Sequence, residues 1–132
     1  MDKKLITDDS KKAKEFFLNK LSFMIGPYEL KEKIEENIEN INIVDVRKYD
    51  DYIDGHIPFA IHVPFENLEE HLVMFEKKKV NIIYCYSAFC KLADYAAFKL
   101  AHENYPVQVL HGGFLTWEKA KMDVVRSSSE EE

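Results

Sequence analysis

A chain of 132 residues with 46% apolar and 13% aromatic side chains, and only four Gly and four Pro, can bury one self-sufficient core, which excludes a disordered or collagen-like polymer. Eighteen basic against 24 acidic side chains leave a net charge of −6, so no broad basic surface exists for a phosphate backbone and nucleic acid is not an expected partner. No apolar run approaches the roughly 18 residues of a membrane span, MDKKLITDDS lacks a signal-peptide core, and two cysteines are too few for a secreted disulfide framework; a cytoplasmic protein with no membrane partner is the expectation.

In chain order, Ser10 is placed to cap a helix carrying Ala13, Phe16, Phe17 and Leu21 on one side. Gly26-Pro27 then ends one element and starts another helix, in which Leu30, Ile34 and Ile38 recur at four-residue spacing. Ile41 to Val46 (INIVDV) and Val80 to Cys85 (VNIIYC) are short, almost wholly apolar runs of β-branched and aromatic residues, the pattern of parallel strands covered on both faces. Ala60 to Val63 and Val107 to Leu110 complete the strand candidates, and helical patterns occupy 65–75 and 88–103. Leu92, Ala93, Ala96, Ala97, Leu100 and Ala101 form a stripe, mostly of small residues, that lets a helix sit close on a sheet. Strand, crossover and strand alternate, so the predicted class is α/β with a mainly parallel central sheet flanked by helices.

Ligands of such folds gather beyond the carboxyl ends of the strands. Cys85 closes an apolar strand there, followed by a short loop and the alanine-striped helix. A loop curling over a helix N-terminus aims backbone N–H groups into a small concavity, which favours an anion and predicts a Cys85 thiol acidified into a nucleophile. The alternative is an inert, buried strand-end cysteine.

Residues 43–64, IVDVRKYDDYIDGHIPFAIHVP, the apolar strand ending at Cys85, and Val109-Leu110-His111-Gly112-Gly113 with Trp117 come in an order and spacing that resemble the rhodanese-like sulfurtransferase family over residues 24 to 121. The resemblance divides the chain into an N-terminal extension over 1–22, helical from about residue 10, a rhodanese-like domain over 23–122, and a polar acidic tail over 123–132 ending in SSSEEE. It implies that Cys85 takes sulfane sulfur from a small donor, holds it as a persulfide and passes it to a thiol acceptor, with a protein persulfide as a further partner, no cofactor and no metal. The main-chain N–H groups of Tyr86, Ser87, Ala88, Phe89 and Cys90 would form the cradle.

The loop CYSAFCK departs from the family pattern. Tyr86 and Cys90 stand at the positions often held by Arg, Ala88 at the Gly position and Lys91 at the hydroxyl position. The chain's two arginines, Arg47 and Arg126, lie far from the loop in sequence, so weak turnover of the thiosulfate dianion is expected. Lys91 also stands where a Cys-dependent phosphatase pattern needs Arg. A Cys at each end of the loop resembles a family subgroup and makes Cys90 a candidate resolving thiol, the alternative being a small helix-turn residue. Asp45 and Arg47 share one side of a strand end and suggest a structural ion pair, and His56 a hydrogen-bonded turn residue, with Arg47 or His56 as candidate pocket-rim groups. Trp117 reads as core, and His62, His71, His102 and His111 share no metal-ligand spacing. The competing function is a non-catalytic module of the same fold that binds a partner or senses redox state.

Overall fold

The computed structural model describes residues 8–126. In chain order the elements are α1 (Ser10–Phe23), β1 (Met24–Ile25), α2 (Pro27–Asn37), β2 (Ile41–Asp45), α3 (Tyr49–Asp54), β3 (Ile61–His62), β4 (Val80–Tyr84), α4 (Leu92–His102), β5 (Val107–Leu110) and α5 (Gly113–Lys119). The strands form one parallel sheet in the order β1-β5-β4-β2-β3, with Ile43 opposite Ile82 and Ile83 opposite Val109. The mixed α/β class and the parallel, helix-flanked sheet are those predicted.

Period-2 alternation sends successive side chains of β2, β4 and β5 to opposite faces, and both faces are covered. Val44, Ile83, Cys85 and Val109 pack with the alanine stripe of α4, where Ala93, Ala96 and Leu100 are buried. Ile43, Ile82, Tyr84 and Leu110 pack on the other face with Leu30 of α2 and Phe114 and Trp117 of α5. Pro27 occupies the first turn of α2, and the Gly26 N–H donates to Glu29 Oε1 at 3.0 Å.

Several elements differ from the pattern reading. Asp9, not Ser10, caps α1 by accepting from the Lys12 N–H. Residues 65–75 form two 3-10 segments, Phe65–Asn67 and Glu69–Met74, and the second is kinked at His71, whose angles are non-helical. Ile38 falls in a 3-10 turn after α2, and the helix expected from residue 88 begins at Leu92 because the preceding residues form the loop. β1 and α3 carry too few residues to show a period. Residues 123–126, placed in the tail by the sequence, are tied down: Val125 and His56 exchange backbone hydrogen bonds at 2.9 Å, and Arg126 Nη1 donates to the Asp54 carbonyl at 2.7 Å. The SSSEEE segment lies outside the described residues.

Candidate active site

β4, in the middle of the sheet, delivers Cys85 at its carboxyl end, on the same face as Ile83 and so toward α4. Three attachments fix the loop that follows. The Tyr86 hydroxyl donates to Asp51 Oδ2 at 2.7 Å and accepts from the Lys48 N–H at 3.2 Å, tying the loop to the start of α3. Behind it, the N–H groups of Phe114 and Leu115 donate to the Cys85 and Tyr86 carbonyls, both at 2.9 Å. Within it, the Cys90 N–H donates to the Ser87 carbonyl at 3.1 Å and the Phe89 N–H to Ser87 Oγ at 3.3 Å.

The Gly-Gly turn is a steric requirement of this arrangement. Gly113 has φ +63°, and a Cβ on it would stand 2.7 Å from the Cys85 carbonyl oxygen and 2.9 Å from the Ser87 nitrogen. Any side chain there would push the loop off its support.

Cys85 is only 2% exposed, and its thiol donates to the Cys90 carbonyl at 3.5 Å. Burial pushes the Cys85 thiol up to about 12; the Cys90 side chain beside it adds to the rise, and the N–H groups of Ala93 and Tyr86 oppose it. The expectation of an acidified thiolate is therefore corrected. Two of the five expected cradle amides, those of Phe89 and Cys90, are spent on Ser87, and α4 starts only after Lys91, so its first turn presents the Ala93 N–H alone to the sulfur. Alkylation of Cys85 by iodoacetamide at pH 7, localised by peptide sequencing, is expected to run slower than that of free cysteine and to go on rising with pH above the free-cysteine midpoint. Fast labelling with a midpoint below the free-cysteine value would contradict this.

Cys85 lines a cavity of about 520 Å³. Ser87, Ala88 and Cys90 of the loop line it, together with Ala93 and Asp94 of α4 and the turn from Val109 to Gly113. Its remaining wall is α1 with the start of β1: Phe16, Asn19, Lys20, Phe23 and Met24. Sequence reasoning missed this wall and Asp94. The available signal was the apolar side of α1 formed by Ala13, Phe16, Phe17 and Leu21, which needed a surface to face.

The remaining singled-out residues divide clearly. Tyr86 serves as the loop's anchor, Phe89 is 95% exposed, and Lys91 is the residue before α4; none of the three lines the cavity. Arg47 and Asp45 form a buried ion pair, with Arg47 Nη2 to Asp45 Oδ2 at 2.8 Å, and Arg47 also donates to the Gly55 carbonyl and lies 4.2 Å from the Phe114 ring centroid. His56 stacks on Tyr52, centroids 3.9 Å apart, and its Nδ1 is 2.8 Å from the Tyr52 carbonyl. Neither Arg47 nor His56 reaches the cavity rim. Trp117 is buried, its indole N–H donating to the Asp123 carbonyl at 2.8 Å. Among the described residues, no three His, Cys, Asp or Glu side chains group as metal ligands.

Comparisons with known proteins agree on one family. Residues 27–120 match the Rhodanese-like domain. The chain is 32% identical over 84 residues to the HTH-type transcriptional regulator Rv0324 of Mycobacterium tuberculosis, covering 64% of this chain and 37% of that regulator. It is 31% identical over 94 residues to a candidate sulfurtransferase of Bacillus subtilis, YtwF, covering 67% of this chain and 84% of YtwF. It is 34% identical over 79 residues to the thiosulfate sulfurtransferase GlpE of Coxiella burnetii, covering 59% of this chain and 72% of GlpE. Among solved structures, the BH2092 protein of Bacillus halodurans superposes with a TM-score of 0.83 at 32% identity, covering 90% of this chain and 88% of that one. With the domain match spanning α2 to α5 and the loop cysteine at the end of the central strand, this chain belongs to the rhodanese-like domain family.

Proposed function

We propose that the protein is a sulfurtransferase or persulfide carrier in which Cys85 holds sulfane sulfur. The observation that carries this reading is Cys85 lining a cavity of about 520 Å³, at the end of the central strand of a rhodanese-like domain. Relatives named as sulfurtransferases at 31% and 34% identity support it.

The donor best suited to the cavity is an organic persulfide. In the exchange Cys85-SH + R-S-SH → Cys85-S-SH + R-SH, the Cys85 sulfur attacks the terminal sulfur of the donor, the donor S–S bond breaks, and the thiol proton ends on the leaving thiol. The thiosulfate dianion finds no guanidinium fork at the cavity, because Arg47 is locked to Asp45 and Arg126 pairs with Glu118.

Cys90 is the resolving thiol of this reading. Cys90 lines the same cavity and its carbonyl accepts from the Cys85 thiol at 3.5 Å, and attack of its thiol on a Cys85 persulfide would form the Cys85–Cys90 disulfide and expel hydrogen sulfide. The test is steady-state transfer to a thiol acceptor from glutathione persulfide and from thiosulfate. Turnover with the persulfide is expected at least about tenfold above that with thiosulfate. In Cys90→Ser, hydrogen sulfide release without acceptor should disappear while transfer to acceptor remains. Equal rates with both donors would refute the donor assignment, and unchanged sulfide release in Cys90→Ser would refute the resolving role. One observation, the raised pKa of Cys85, favours the second reading of a non-catalytic binding or redox-sensing module; no turnover with either donor would establish that reading instead.

A further inference from the structure

A basic and an acidic residue line the Cys85 cavity from different elements: Lys20 from α1 and Asp94 from the first turn of α4. Among the described residues neither side chain has a hydrogen-bond or ion-pair partner, and the two are not paired with each other. The apolar side chains of Phe16, Phe23, Met24 and Val109 line the same cavity. A volume of about 520 Å³ falls within the range of small organic ligand sites, about 300–1,000 Å³, and leaves room for more than a small inorganic anion.

We propose that this cavity receives an amino-acid-type thiol or persulfide, its carboxylate held by Lys20 and its ammonium by Asp94, with its sulfur directed at Cys85. The proposal rests on the reading of Cys85 as the sulfur-carrying centre and adds the class of molecule that brings or removes the sulfur. Charge pattern carries the selection. A dianion gains from Lys20 but is repelled by Asp94; an uncharged alkyl thiol leaves both ions unused; a zwitterion satisfies both while its methylene packs against Phe16 and Phe23. Lys20 and Asp94 thereby become specificity-determining residues contributed by the N-terminal helix and by the helix behind the loop.

The test uses ligands that cannot exchange sulfur, so that binding is read apart from transfer. Calorimetric titration of the full chain with S-methyl-L-cysteine is compared with N-acetyl-S-methyl-L-cysteine, which lacks the ammonium, and S-methylcysteamine, which lacks the carboxylate. S-methyl-L-cysteine is expected to bind at least about tenfold more tightly than either analogue. Lys20→Gln should abolish its advantage over S-methylcysteamine, Lys20→Arg should restore it, and Asp94→Asn should abolish its advantage over the N-acetyl compound. Both side chains are exposed, so thermal unfolding should be unchanged in all three variants. Equal affinity for the three ligands, no binding of S-methyl-L-cysteine at millimolar concentration, or a preference untouched by both substitutions overturns the proposal. An intact affinity pattern in a protein that never carries persulfide on Cys85 would overturn the sulfur-transfer reading and leave the ligand class standing.

Discussion

Replacing Cys85 by Ser is expected to lower sulfur transfer by at least about 10³-fold while leaving the fold intact, because the whole reaction then loses its covalent intermediate. A serine oxygen cannot store sulfane sulfur. The substitution is otherwise conservative: the hydroxyl can donate to the Cys90 carbonyl as the thiol does, and burial of one paired hydroxyl costs little, about 1 kcal/mol or less. The measurement is turnover with glutathione persulfide beside circular dichroism of the same preparation. Transfer that persists in Cys85→Ser and vanishes in Cys90→Ser would move the carrier to the other end of the loop.

The largest stability effect is expected at the end of β2. Asp45 is fully buried and Arg47 is 5% exposed; besides the side-chain pair, Asp45 Oδ1 accepts from the Arg47 N–H at 2.8 Å, and the guanidinium holds the Gly55 carbonyl at the end of α3. Asp45→Ala leaves that guanidinium buried without its counter-charge, at a cost of about 3–5 kcal/mol and a fall in Tm on the order of 10 °C. The loss should also reach the active-site loop, because Tyr86 is anchored to Asp51 and Lys48 on the segment that Arg47 braces. Thermal unfolding of Asp45→Ala and of the double variant Asp45→Ala, Arg47→Met checks this. The double variant, which removes both charges, should regain part of the loss, because the Arg47 N–H and the Gly55 carbonyl still lose their partners; equal Tm for the single variant and the parent would show that the pair contributes nothing.

The sequence made legible those parts of the molecule that are dictated by continuous burial. INIVD and VNIIY are strands because both faces of a parallel sheet are covered, and the alanine stripe of 92–101 places α4 against them. The position of Cys85 followed from the same logic, whereas the Gly-Gly turn entered only through the family resemblance, and its physical reason is the close approach of Gly113 to the Cys85 carbonyl. What escaped was set by contacts distant in sequence. β1 is two residues long and exists through its pairing with Val109 and Leu110. The role of α1 as a cavity wall depends on where its chain end is tied, with Gln108 Nε2 donating to the Ser22 carbonyl at 2.9 Å. The sign of the Cys85 shift escaped for a different reason. Proximity to a helix start suggested an electropositive nest, but Ser87 takes the amides of Phe89 and Cys90, and burial outweighs the N–H groups of Ala93 and Tyr86 that act on the sulfur.

The central claim is that Cys85 carries sulfur, and the loop peptide's mass tests it most directly. After brief exposure of the full chain to glutathione persulfide, alkylation and digestion, fragmentation should locate one additional sulfur atom on Cys85, and that addition should vanish on treatment with a thiol acceptor. A loop peptide that never gains the sulfur, with the domain folded and the donor intact, would contradict the account.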